Sequence, residues 1–193
     1  MRDRDHWISI EVTQTFLKME ARPAYDRPSA PLGPPLALMR AQNPPNWWFL
    51  SLYTAVGAAH HWTDKTDWSE EKLTEFVSAP TRSIYTLMRD GWPTGFFMLD
   101  GPIDGTVWLD YFGLLPQALG AGLGTYLLKT AIHTAWDLPG AETLEVDTCS
   151  IDHPAALPLY QKLGFAPYSQ STYTRRVDPD VEAVRPGRNA QPS

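Results

Sequence analysis

The chain has 193 residues, 43% of them hydrophobic and 20% charged, with 18 prolines, 8 tryptophans and a single cysteine. It is long enough for one domain with a substantial core, too apolar for a disordered chain, and lacks the ~20-residue apolar run of a membrane span. A lone Cys149 excludes a disulfide framework and a cysteine-based zinc site, and 16 basic against 22 acidic residues, a net charge of -6, argue against a general nucleic-acid binder. The first ten residues carry no apolar signal core, so the cytoplasm is the expected compartment.

Residues 7–19 (WISIEVTQTFLKM) alternate apolar and polar side chains through Ile8, Ile10 and Val12, which predicts a first strand. Residues 22–46 then carry seven prolines, so this stretch can be neither a helix interior nor a central strand. It reads as a loop, either the wall or lid of a functional site or a tethered linker. A helix is expected from Asn43 as cap, with Pro44 in the first turn, to Gly57. A second follows Asp67 or Ser69, with Glu70 and Glu71 in its first turn and Leu73, Phe76 and Val77 on its apolar face. Residues 83–88, 94–99 and 107–114 read as an antiparallel meander joined by the hairpin turns Asp90-Gly91 and Asp104-Gly105.

After the meander, Leu123, Leu127, Leu128, Ala131, Ile132, Ala135 and Trp136 recur at helical spacing up to Pro139-Gly140. Residues 143–149 form another strand, 153–163 a short helix and 165–177 one or two strands. The tail from Asp178 has few large apolar residues and is expected to be mobile. This order predicts an α/β fold, a mixed sheet with helices on both faces, with residues 1–177 as a single domain.

The stretch LLPQALGAGLGTYLL, residues 114–128, joins a strand end to a helix through glycines at 120, 122 and 124. Closely spaced glycines let the backbone approach a ligand, and the N–H groups of a helix start converge on an anion without any basic side chain. Neither the dinucleotide fingerprint nor the nucleoside-triphosphate loop fits, because Leu127 or Leu123 falls where a third glycine is needed and Thr125-Tyr126 follows Gly124. A glycine-rich helix start used only for close packing is the alternative.

Pro116–Leu128 resembles the acyl-CoA loop of the GNAT superfamily of N-acyltransferases, roughly P-x-x-[RQ]-G-x-G-[IL]-G-x-x-L-L, with Gly120, Gly122, Leu123, Gly124, Leu127 and Leu128 in register. HPAALPLYQKLGF, residues 153–165, is similar to the family's second signature, N-x-x-A-x-x-L-Y-x-K-x-G-F, through Ala156, Leu159, Tyr160, Lys162, Gly164 and Phe165. The resemblance covers about residues 83–168 and implies a mostly antiparallel sheet of six or seven strands. It departs at two places: Leu119 replaces the loop Arg or Gln, and His153 replaces the Asn. From Asp90 to Leu128 there are four acids and no Lys or Arg, so the pyrophosphate must rest on backbone amides or on Lys129, Lys162 or remote cations.

The resemblance implies an N-acetyltransferase that moves an acetyl group from acetyl-CoA to a small-molecule amine by direct attack, without a metal. Phe112, Gly113 and Leu114 would pair with the pantetheine, and Leu119, Gly120, Ala121, Gly122, Leu123, Gly124 and Thr125 would cradle the phosphates. Tyr160 occupies the general-acid position, and Asp110, on one strand face with Trp108, is the candidate base. His153 and the pair His60-His61 are weaker candidates, and Cys149 reads as a small hydrophobe. Trp47, Trp48, Tyr53, Trp62 and Trp68 crowd the two-helix segment that would wall the acceptor, each read first as core packing. The expected partners are coenzyme A and the amine, with a homodimer left open and neither nucleic acid nor membrane involved. The alternatives are a non-catalytic acyl-CoA-binding regulator, or an acyltransferase using a protein lysine or a longer acyl-CoA.

Overall fold

A computed structural model describes residues 6–181 and places seven strands in one sheet. In chain order the elements are β1 (Ile8–Met19), β2 (Leu36–Arg40), α1 (Asn46–Gly57), α2 (Glu70–Val77), β3 (Arg82–Arg89), β4 (Trp92–Ile103), β5 (Thr106–Leu114), α3 (Leu123–Trp136), β6 (Thr143–Cys149), α4 (Ala156–Lys162) and β7 (Ala166–Val177). The order across the sheet is β2-β3-β4-β5-β6-β1-β7, and every neighbouring pair is antiparallel except β5 with β6. The α/β class and the mostly antiparallel sheet expected from the resemblance are therefore present.

Each face of the sheet buries its own core because alternate strand residues point to opposite sides. On β4, Phe97 and Leu99 pack with Leu127, Leu128, Ile132, Tyr160 and Leu163 under α3 and α4. Phe96 and Met98 pack with Phe49, Tyr53, Val56 and Val77 under α1 and α2. Both hairpin turns of the meander form as expected: Asp90 and Gly91, then Asp104 and Gly105, have positive φ at both central positions. Ser69 caps α2 by accepting the Lys72 N–H, and Leu73 and Val77 are buried.

Two local expectations change. Helix α1 begins at Asn46 rather than after Asn43, whose φ is +48°. The cause is the Pro44-Pro45 pair, since a residue before proline is pushed out of the helical region. The freed Asn46 side chain donates to Glu70 Oε1 (2.7 Å) and Thr74 Oγ1 (2.8 Å), docking α1 on α2. The proline-rich stretch contains a strand, β2, formed by the proline-free run Leu36–Arg40 between Pro35 and Pro44; among the described residues it pairs with β3 alone and lies at the sheet edge. As expected, helix α3 runs to Trp136 and stops before Pro139-Gly140, and of the one or two strands expected after residue 165 the structure has one, over residues 166–177.

The rest of the proline-rich segment is a strap. Arg22 and Arg27 both pair with Asp137 just past the end of α3. The Tyr25 hydroxyl donates to the Leu163 carbonyl at 3.0 Å, its ring meets His133 edge-on at 5.7 Å, and the Lys129 ammonium lies 4.7 Å from its centroid. The strap thus carries the chain across α3 from β1 to the far edge of the sheet. Of the tail expected to be mobile, residues 182–193 lie outside the described ones, and Asp178 is held by His6 at 3.1 Å. No helix among the described residues is long and apolar enough to cross a membrane.

Candidate active site

The one parallel pairing in the sheet is short. Strands β5 and β6 pair only from Thr106 with Thr143 to Trp108 with Glu145. Beyond that point they diverge, and residues 109–114 of β5 present one side to no neighbouring strand. A cavity of about 350 Å³ occupies this opening. It runs from the glycine turn before α3 to the segment after α1, with β5 along one side and residues from β6 and the α4 entry along the other.

At one end lies the start of α3. Gly122 stands at its N-cap with a φ of +73°, and Gly120 has a φ of +80°. A Cβ at either position would meet nothing within 4 Å, so these glycines are required for backbone conformation and border open space. No side chain caps α3, which leaves the amides of its first turn available to an anion. Of the residues expected to cradle the phosphates, Leu119, Gly120, Gly122, Leu123, Gly124 and Thr125 border the cavity and Ala121 does not. No Lys or Arg among the described residues lines the cavity. The Lys129 ammonium lies 4.7 Å from the Tyr25 ring of the strap, outside the cavity lining.

Phe112, Gly113 and Leu114 also line the opening. Gly113 has a different reason from the one the sequence suggested. A Cβ there would lie 2.3 Å from Val56 Cγ1, so the missing side chain admits helix α1 rather than a ligand.

Asp110 sits in a β-bulge. Met98 pairs with Tyr111 and Leu99 with Leu109, which leaves Asp110 opposite no residue of β4. The bulge puts Leu109 and Phe112 in the α3/α4 core and Tyr111 in the α1/α2 core. Arg82 bridges the local acids: its Nη2 is 2.8 Å from Asp100 Oδ2 and its Nε is 3.6 Å from Asp110 Oδ2. Burial, then the neighbouring Asp100, raise the Asp110 carboxyl to about 6, against the pull of Arg82.

Tyr160 enters from α4 and is 5% exposed. Its ring packs edge-on against Phe112 (6.2 Å) and Phe165 (5.7 Å). Burial, followed by Asp152 and Asp147, raises its pKa and keeps the phenol protonated. Tyr160 therefore belongs to the α3/α4 side of the opening, whereas Tyr111, beside Asp110, belongs to the α1/α2 side.

The remaining candidates separate clearly. Of the five aromatics on the two-helix segment, only Trp62 lines the cavity. Tyr53 is core, Trp48 packs against that core, Trp47 is 68% exposed, and Trp68 lies under the ammonium groups of Lys65 and Lys72. Trp62 is set by its indole N–H donating to Asp152 at 3.4 Å and by Arg175, which donates to the His61 carbonyl (2.7 Å) and Asp64. His60 lines the cavity with its Nδ1 enclosed and unpartnered, and burial lowers its pKa. His153 accepts the Ala155 N–H at 3.1 Å and meets His60 edge-on. The Cys149 thiol lies 3.5 Å from the Tyr173 hydroxyl, and burial raises its pKa, which suppresses a thiolate. Asp147 and Asp152, which the sequence had not singled out, also line the cavity. Only the divergence of β5 and β6 brings them there.

No curated protein matches the chain at a significant level. Among solved structures, a conserved protein of unknown function from Staphylococcus epidermidis ATCC 12228 is similar at 12% identity and a TM-score of 0.54, over 86% of this chain and 61% of that one. A GCN5-related N-acetyltransferase from Kribbella flavida is similar at 18% identity and a TM-score of 0.55, over 90% of this chain and 68% of that one. An aminoglycoside acetyltransferase from an uncultured soil metagenomic sample, solved with sisomicin, matches 66% of this chain and 86% of its own at 14% identity and a TM-score of 0.55. The chain thus spans less than two thirds of the first of these, and the three likenesses concern the fold. The profile of the acetyltransferase (GNAT) family matches residues 46–165, well over half of the 193 residues and the whole cavity-forming region from α1 to α4. The chain belongs to the acetyltransferase (GNAT) family.

Proposed function

We propose that this protein transfers an acetyl group from acetyl-CoA to the amine of a small molecule by direct attack in a ternary complex. The observation that carries this reading is the opening between β5 and β6, with an amide-rich helix start at one end and Asp110 and Tyr160 associated with opposite faces. The pyrophosphate rests on the first-turn amides of α3, and the pantetheine follows the unpaired edge of β5 through Phe112, Gly113 and Leu114. Backbone N–H groups of that edge stabilise the oxyanion.

The amine enters from the α1/α2 side and gives a proton to Asp110, directly or through water. Its nitrogen forms the new C–N bond, the C–S bond breaks on collapse of the tetrahedral intermediate, and the leaving thiolate takes the Tyr160 proton. A cavity lined by Asp110, Asp147 and Asp152 and by no Lys or Arg among the described residues favours a cationic acceptor. The similar fold solved with sisomicin supports a small molecule over a protein as acceptor.

The test is thiol release from acetyl-CoA with a panel of metabolite amines, the acetylated product identified by mass spectrometry. At least one amine is expected to raise release far above hydrolysis. Coenzyme A binding without any amine-dependent release would overturn the enzymatic reading in favour of an acyl-CoA-binding regulator.

A further inference from the structure

Asp147 is a cavity group for which the proposed chemistry has no use. Trp108 and Glu145 are the last pair of the parallel ladder, and Asp110 and Asp147 lie two residues beyond it, one on each diverging strand. Leu144 and Val146 belong to the α3/α4 core, so alternation turns Asp147 to the other face, the side from which the amine enters. The two carboxylates therefore stand on opposite lips of the same opening.

The acids around Asp147 are answered by the protein. Asp110 and Asp100 share Arg82. Asp152 accepts from the Thr148 hydroxyl (2.9 Å), the Cys149 N–H (2.7 Å) and the Trp62 indole. Asp147 receives one neutral side-chain donor, Gln14 Nε2 at 2.7 Å, and no cation pairs with it among the described residues. Asp147 is solvent-accessible from the open side of β6, and the neighbouring protein raises its pKa by partial desolvation, the Gln14 bond opposing. A carboxylate in a concave wall with no counter-charge is complemented by an ammonium. The ring of Trp62, 5.3 Å from Tyr111, supplies an apolar and cation-attracting flank for the chain that carries it.

The nucleophilic nitrogen must be neutral when it attacks, so a charge held at Asp147 comes from a different nitrogen. We propose that Asp147 is a specificity-determining residue that binds a second ammonium of the acceptor, so that the preferred substrates are aliphatic diamines and polyamines. This inference rests on the acyl-transfer reading above.

The experiment compares kcat/KM for putrescine and spermidine with that for n-butylamine, in the wild type, Asp147→Asn and Asp147→Glu, with coenzyme A affinity measured in parallel. The wild type is expected to prefer the diamine by about 10- to 100-fold, the range of a charge-assisted hydrogen bond. Asp147→Asn is expected to collapse that ratio, chiefly through KM of the diamine, and Asp147→Glu to restore part of it. Equal wild-type values for diamine and monoamine overturn the inference, as does an Asp147→Asn variant that lowers both by one factor. If Asp147→Asn no longer binds coenzyme A, the wild-type ratio and Asp147→Glu decide. Absence of thiol release with every amine removes the proposed function itself, whereas a monoamine used as well as the diamine removes only the role of Asp147.

Discussion

Asp110 and Tyr160 each carry a property that a measurement reads directly. The Asp110 carboxyl rises from an ordinary value of about 4 to about 6 on folding. The proposed base works as the carboxylate, so kcat/KM is expected to climb through about pH 6 and then follow the amine's own ionisation. In Asp110→Asn the limb near 6 disappears; an unshifted profile would remove Asp110 as base. The same shift sets a stability trend. The folded protein holds this proton more tightly than the unfolded chain, so ionising it costs nothing below about pH 4 and its full amount above about 6. Thermal unfolding of Asp110→Asn is therefore expected to occur at a higher temperature than wild type at pH 8, with the difference gone by pH 4. Tyr160→Phe keeps the ring packing on Phe112 and Phe165 and removes only the hydroxyl. Its kcat is expected to fall about 100-fold with coenzyme A affinity retained, and unchanged turnover with a good acceptor would end its assignment as acid.

At the scale of elements, the close approach of α1 to β5 and the start of α3 are the two features most sensitive to substitution. Gly113→Ala places a methyl group 2.3 Å from Val56 Cγ1, inside any van der Waals contact. It is expected to destabilise the protein by about 1–3 kcal/mol, and Val56→Ala on the same background should recover most of that loss in denaturant unfolding. Because no Lys or Arg among the described residues lines the cavity, the proposed phosphate binding would rest on fixed amides. Coenzyme A affinity should then weaken only modestly between low and high salt, whereas a steep decline would point to lysine or arginine contacts. Gly122→Ala forces an alanine to a φ of +73° and is expected to weaken coenzyme A binding without closing the amine side of the cavity.

In the whole molecule, the proline-rich strap and the placement of β1 are the features the chain order alone does not reveal. None of the described residues from 20 to 45 lines the cavity, so the strap is no lid over this cavity. Tyr25→Phe removes its bond to the Leu163 carbonyl and is expected to lower stability by about 1 kcal/mol with kcat and KM unchanged, which urea unfolding and steady-state kinetics would check. Strand β1 pairs with β6 on one side and with β7 on the other, so the first strand in sequence separates two of the last.

Much of this was legible beforehand because it is local. Hairpin glycines at 91 and 105, the Ser69 cap, the helical spacing of Leu123 to Trp136 and the two family signatures are short-range patterns, and each reads from a few adjacent residues. The same holds for the conformation of Gly120 and Gly122. Long-range facts were not legible. Gly113 looks the same whether a ligand or Val56 fills the space above it. Asp147 is an exposed strand carboxylate in the fold as in the sequence, and its place on the cavity wall shows only where β6 leaves β5 after Glu145. By itself, then, the sequence determined the element types, the hairpins, the glycine helix start and the family. The tertiary structure alone decided which side chains share the cavity, because that depends on where two strands stop pairing, a balance of packing on both faces that no local pattern encodes.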